Sequence, residues 1–437
     1  MVVLALTAIL FTGCGVPVSQ QQSAYVADLV RQLKPAGITV QWKQPAVGPD
    51  PPAILVPYQA TQRDYPEAWV KQEIAVPDGI TIQCMNGTGW VLGAYNKQSG
   101  RILNGHSLYH VENGTLRKVA DIGRSNTSFS NTQQPAGDHA FALSDRYCVW
   151  GSIMKTSNGN RTVALWAYDL VTGTSFQWGD SEHLPRLLGS GTYLDDIGEM
   201  QLCDDGTVFT VITTVVEGSK SSLSVLLQCQ LPTGKLHVVA TAQDVAWLPL
   251  MQDGNSLWIQ QEKSAPPTPQ GNQGGTLSLI RVDLVLGTLE TFITDSSLLG
   301  CDTDGKRILL IHEGSTASMS DRPWESPTDS PYADLWLFSP SEHTLRVVAR
   351  VPWKEEIGRL GSIALLTSGI MYGIQGPQHL FFSFRESKFY NVDNIVVPAF
   401  KGATRFGIFK YGLDYFGEKH EPSEPKGITM LQVLEPN

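Results

Sequence analysis

Residues Leu165–Trp178 read LWAYDLVTGTSFQW, two alternating runs folded about Thr172-Gly173. Leu165, Ala167 and Asp169 alternate with Trp166, Tyr168 and Leu170, and Phe176 and Trp178 resume a spacing of two. That pattern predicts a β-hairpin. Versions of it begin at Leu108, Leu226, Leu277, Leu335 and His379, at intervals of 44 to 61 residues, which suit the roughly 40 to 50 residues of one propeller blade with loop insertions. The chain reads as an array of short sheets.

Each hairpin is preceded by an inner pair of strands. Ile80–Met85 leads through Asn86-Gly87 to Trp90–Leu92, and Met200–Cys203 leads through Asp205-Gly206 to Val208–Thr214. Val245–Leu250 leads through Asp253-Gly254 to Leu257–Gln260, and Leu298–Cys301 through Asp304-Gly305 to Ile308–His312. Asn-Gly and Asp-Gly adopt positive φ at little cost, which joins adjacent strands tightly. Units begin near Gly79, Asp138, Gly198, Asp244, Ser296, Gly361 and Val396, and the last has no outer strand before Asn437. Trp69–Val76, WVKQEIAV, has the pattern of an outer strand without partners of its own. The expected fold is all-β: a propeller of seven four-stranded blades, closed by an N-terminal strand pairing into the last blade.

Ahead of this array, Val2–Phe11 is an apolar run ending in Thr12-Gly13-Cys14. It is too short to span a bilayer, and small residues before a cysteine are what a lipoprotein signal peptidase needs. The stretch resembles a bacterial lipobox, which implies acylation at Cys14. Residues 15–66 read as a tether. It holds a short helix from Ala24, with Val26, Leu29, Val30 and Leu33 on one face and Pro35 and Gly37 stopping it, then the proline-rich spacer Gln44–Pro57. Residues 67–437 form the propeller domain.

On this blade spacing and turn chemistry, roughly Trp69–Asn437 resembles lipid-anchored bacterial β-propellers of the broad TolB-like or quinoprotein-like kind. The resemblance implies an architecture and an extracytoplasmic location on the cell membrane or outer membrane. Its members include scaffolds, ligand binders and lyases, so it does not fix an activity.

Composition narrows the function classes. With 42 acidic against 32 basic residues, a net charge of −10 and no basic run, the chain lacks the phosphate-neutralising surface that nucleic acid requires. No G-x-S-x-G, H-E-x-x-H, Walker or G-x-G-x-x-G pattern occurs in the required context. Cys84, Cys148, Cys203, Cys229 and Cys301 show no C-x-x-C spacing and read as buried thiols. No cofactor, metal site or catalytic residue is expected.

Connections between first and second strands, and between third and fourth, are short, while the others are long and fall on the opposite face of the disc. The most developed stretch, Glu313–Asp334, carries Asp321, Trp324, Glu325, Asp329 and Tyr332. Gly412–Gly427 adds Tyr415, Phe416 and His420, and Gly179–Gly198 adds Asp180, Glu182, Asp195 and Asp196. An acidic rim with aromatic anchors suits a binding or scaffold module meeting an envelope protein or glycan. The alternative is an envelope hydrolase or lyase at the channel mouth, with His183, His312 or His420 beside a loop carboxylate.

Overall fold

The computed structural model describes residues 36–37, 69–77, 80–95, 105–122, 135–155, 161–180, 192–216, 222–232, 234–263, 276–295, 298–313, 332–342, 344–352, 363–373, 379–393, 396–401, 406–411 and 428–436. Two strands, β1 (Ala36–Gly37) and β2 (Trp69–Ile74), precede the first blade, which is β3 (Ile80–Met85), β4 (Trp90–Tyr95), β5 (Gly105–Glu112) and β6 (Thr115–Ile122). The second blade is β7 (Pro135–Leu143), β8 (Tyr147–Lys155), β9 (Arg161–Asp169) and β10 (Thr174–Asp180). The third is β11 (Thr192–Leu202), β12 (Thr207–Val216), β13 (Ser222–Gln230) and β14 (Lys235–Gln243). Next come β15 (Val245–Asp253), β16 (Ser256–Lys263), β17 (Thr276–Asp283) and β18 (Leu289–Asp295). The fifth blade is β19 (Leu298–Thr303), β20 (Ile308–Glu313), β21 (Tyr332–Ser339) and β22 (Thr344–Pro352). The sixth is β23 (Ile363–Leu366), β24 (Gly369–Gly373), β25 (His379–Ser383) and β26 (Lys388–Asp393). In the last sheet, β27 (Val396–Lys401), β28 (Phe406–Tyr411) and β29 (Ile428–Pro436) are completed by β2.

The expectation of seven four-stranded blades is corrected. Six blades are four-stranded, and the remaining sheet, β15–β18, has a fifth strand because β1 pairs in parallel with β18, Ala36 opposite Glu290 and Gly37 opposite Thr291. Two residues are too few to show a strand period, and Pro35 and Gly37 read more readily as a helix stop. The ring is an all-β propeller in which first strands touch in succession: β3 meets β7, β7 meets β11, β11 meets β15, β15 meets β19, β19 meets β23, and β27 meets β3. Antiparallel pairing of β2 with β29, from Trp69–Pro436 to Ile74–Leu431, joins the strand that precedes the first blade to the last described strand in one sheet. The Ala75 amide then donates to the Gly114 carbonyl of the first blade at 2.9 Å.

The cores lie between blades. Leu92, Leu108, Cys148, Trp150 and Tyr168 pack the first blade on the second, and Val149, Leu165, Ile197, Val208 and Val225 pack the second on the third. Phe209, Leu226, Trp247, Leu257 and Ile280 continue to the fourth, and Met251, Trp258, Leu279, Leu310 and Phe338 to the fifth. Covered on both sides, β13 is buried almost throughout, whereas the outer strand β6 is mostly exposed.

Each of β6, β10, β14, β18, β22 and β26 carries one residue without a partner in its hairpin register: Val119, Trp178, Val239, Phe292, Val348 and Val392. Such bulges add twist and spoil an edge for further pairing. The register of β2 on β29 is unbroken.

Candidate functional site

Chain direction sorts the connections onto two ends of the blades. At one end the turns are short and their polar side chains hold backbone. Asp169 Oδ1 accepts from the Val171 and Thr172 amides at 2.9 and 3.1 Å, and Asp283 Oδ1 from Val285 and Leu286 at 2.9 and 2.8 Å. Gly173 and Gly287 close these two turns at φ 69° and 65°. At Asn86-Gly87 the expected positive φ belongs instead to Gly89, because Asn86 Oδ1 itself accepts from the Thr88 and Trp90 amides.

The same end ties one blade to the next. Asn86 Nδ2 donates to the Ser144 carbonyl at 2.8 Å, and Cys203 Sγ donates to Gln252 Oε1 at 3.3 Å. Asp302 Oδ2 accepts from the Leu365 amide at 2.6 Å. Asp304 is buried and pairs through Oδ2 with Arg307 at 2.6 Å, while Arg307 Nη2 also donates to the Leu366 and Thr367 carbonyls of the sixth blade. Its guanidinium carbon lies 4.8 Å from the centre of the Phe384 ring. A buried carboxylate needs such a partner, and here the pair also fixes two blades.

The opposite end is where residues 96–104, 264–275, 314–331 and 412–427 leave second strands and return to third strands. Asp321, Trp324, Glu325, Asp329, Tyr415, Phe416 and His420 lie outside the described residues, as do Cys14, Glu182 and His183. Tyr332 opens β21 with its backbone opposite Pro352. Residues 314–331 and 412–427 join strands of the fifth and seventh blades, with the sixth between them. Asp195 and Asp196 are not in a loop, because β11 begins at Thr192; Asp195 is the unpaired residue between Leu194–Thr214 and Asp196–Thr213.

At the root of 314–331 the structure makes a grouping that the sequence reading split between strand and loop. His312 on β20 stands opposite Asp334 on β21, and Asp334 is only 9% exposed. The His312 ring is 5.5 Å from the indole of Trp336, two residues further along β21, at an interplanar angle of 39°. Opposite residues of an antiparallel pair share a face of the sheet, so imidazole, carboxylate and indole stand together where the acidic segment begins. Extending β21 back to Tyr332 is the signal that finds Asp334, since Asp334, Trp336 and Phe338 then follow the alternation.

The thiols are poor nucleophiles. Burial pushes Cys84 and Cys203 up to about 12 and Cys229 to about 11; Cys203 is raised further by the nearby Asp205 and Asp204 carboxylates. Burial also raises Cys148 and Cys301. A protonated thiol neither attacks nor ligates readily. Among the described residues no group of three or more His, Cys, Asp or Glu side chains is arranged to hold a metal ion.

No protein-family model matches the sequence, and no curated protein matches it. Solved structures of similar shape include the β-propeller domain of the trilobed protease from Pyrococcus furiosus, at 10% identity and a TM-score of 0.46, covering 80% of this chain and 98% of that one. Pyrococcus horikoshii acylaminoacyl peptidase is similar at 9% identity and 0.45, over 76% of this chain and 49% of that one, so the chain spans about half of that peptidase. The Dos1 propeller is similar at 12% and 0.41, over 80% and 76%. These values carry nothing about activity; the propeller assignment rests on the strand pairing.

Proposed function

We propose that the chain is a non-enzymatic binding or scaffold module of the cell envelope. In this reading it is held to a membrane by a lipid on Cys14, and it meets a protein or glycan through the end bearing the long connections. The observation that supports it is the contrast between the two ends: among the described residues Asn86, Cys203 and Arg307 bond across blades at the short turns, while the acidic, aromatic segments 314–331 and 412–427 connect strands at the other end. Binding residues concentrate on long connections held by a rigid frame. Trp324→Ala is expected to leave melting unchanged and to weaken partner retention by about 2 kcal/mol or more. Retention of the same partners from envelope extracts removes this segment from the site. Cys14→Ser is expected to release the folded protein from membranes, and continued membrane association counts against the anchor.

The His312–Asp334 pair supports the second reading, a hydrolase or lyase, because a carboxylate can orient an imidazole for proton transfer. Under that reading His312→Gln removes turnover while leaving partner retention intact. Under the binding reading it leaves turnover assays blank in both proteins.

A further inference from the structure

The outer edge of β2 differs from the other outer edges. Six outer strands are interrupted by a bulge, whereas β2 pairs with β29 without a break from Trp69 to Ile74. Among the described residues no strand occupies its other side. A regular strand edge of this kind presents a row of backbone donors and acceptors to any strand that can lie beside it.

The sequence of that edge specifies which strand. Val70-Lys71-Gln72-Glu73-Ile74 is self-complementary about Gln72. Against an antiparallel second copy with Gln72 opposite Gln72, each Lys71 stands opposite a Glu73 and each Val70 opposite an Ile74. By strand alternation positions 70, 72 and 74 share one face, and 71 and 73 the other. The nearest two-fold registers that keep this facing set Lys71 opposite Lys71 or Glu73 opposite Glu73, and directly opposed like charges are destabilising. Parallel, in-register pairing does the same. One arrangement satisfies both the charges and the apolar positions.

We propose that β2 is a homodimerisation edge: two copies of this chain pair β2 with β2 about a two-fold axis through Gln72, merging their last blades into one sheet. The interface is isologous, so each substitution acts twice. Sedimentation velocity of the full chain over a concentration series tests this. The parent is expected to dimerise with concentration. Lys71→Glu sets a carboxylate opposite Glu73, and Glu73→Lys sets an ammonium opposite Lys71; each is expected to raise the dimer dissociation constant about tenfold or more. The double variant Lys71→Glu/Glu73→Lys restores opposite charges and is expected to return close to the parent. Hydrogen exchange at the β2 amides of the parent, slowing as concentration rises, supplies a reading that needs no variant. A parent that stays monomeric, a dimer indifferent to both single reversals, a double variant no better than the singles, or β2 exchange independent of concentration overturns the proposal.

Discussion

The two ends of the propeller are joined by different kinds of connection. At the short turns Asn86, Gln252, Asp302 and Arg307 reach backbone or side chains of the neighbouring blade. At the other end the acidic residues of 314–331 and 412–427 are separated by few cations, Arg322 and Lys419 among them. A side chain already committed to a neighbour's carbonyl holds the ring in register but is not free for a partner. Stability and recognition are therefore expected to respond to different substitutions.

The largest effect is expected at closure. Deleting residues up to Val76 removes β2 and the Ala75–Gly114 bond, exposing β29 along its length, and should abolish the cooperative thermal transition. Deleting 15–57 removes only β1 from the described strands and should leave that transition in place. Equal behaviour of the two truncations would contradict the closure. Asp304→Ala strips the buried partner from Arg307 and should cost about 3–5 kcal/mol in denaturant unfolding. Gly369→Ala drives a Cβ into the Phe382 carbonyl oxygen and the Phe381 ring, where backbone must shift. It should cost about 1–3 kcal/mol. By contrast, Asp321→Asn with Glu325→Gln should stay within about 0.5 kcal/mol of the parent while reducing the salt sensitivity of partner binding.

The thiols give a pH signature. Below the ordinary thiol value of 9.0 folded and unfolded chains both keep these protons; between 9.0 and about 12 the unfolded chain has lost them while Cys84 and Cys203 in the fold keep theirs. The unfolded state then binds fewer protons, so stability falls as pH rises through that window. Replacing both cysteines by Ala should make that part of the stability profile less steep, measured by denaturant midpoints, with Cys148, Cys229 and Cys301 contributing the remaining slope.

Much of the fold was legible because each blade repeats the same local instructions. Asp205-Gly206, Asp253-Gly254 and Asp304-Gly305 place a glycine at φ 85°, 56° and 83°, and the hairpin at Leu165–Trp178 is β9 and β10. The fifth strand of one sheet was hidden, since Ala36 and Gly37 gain their partners from residues far along the chain and carry no period of their own. The interblade bonds were hidden for a related reason: Arg307 and Thr367 are sixty residues apart, and only the ring brings them together. At the candidate site three acidic residues in 314–331 give the sequence before Asp334 a loop composition, although the Asp334 side chain is buried on a strand.

The division between the ends is tested most directly by measuring melting temperature and partner retention together for Arg307→Ala and Trp324→Ala. The account predicts a crossed result. Arg307→Ala melts earlier yet, below its transition, retains the partners of the parent; Trp324→Ala melts with the parent and loses them. A Trp324→Ala protein that melts much earlier, or an Arg307→Ala protein that melts unchanged and loses its partners, would contradict it.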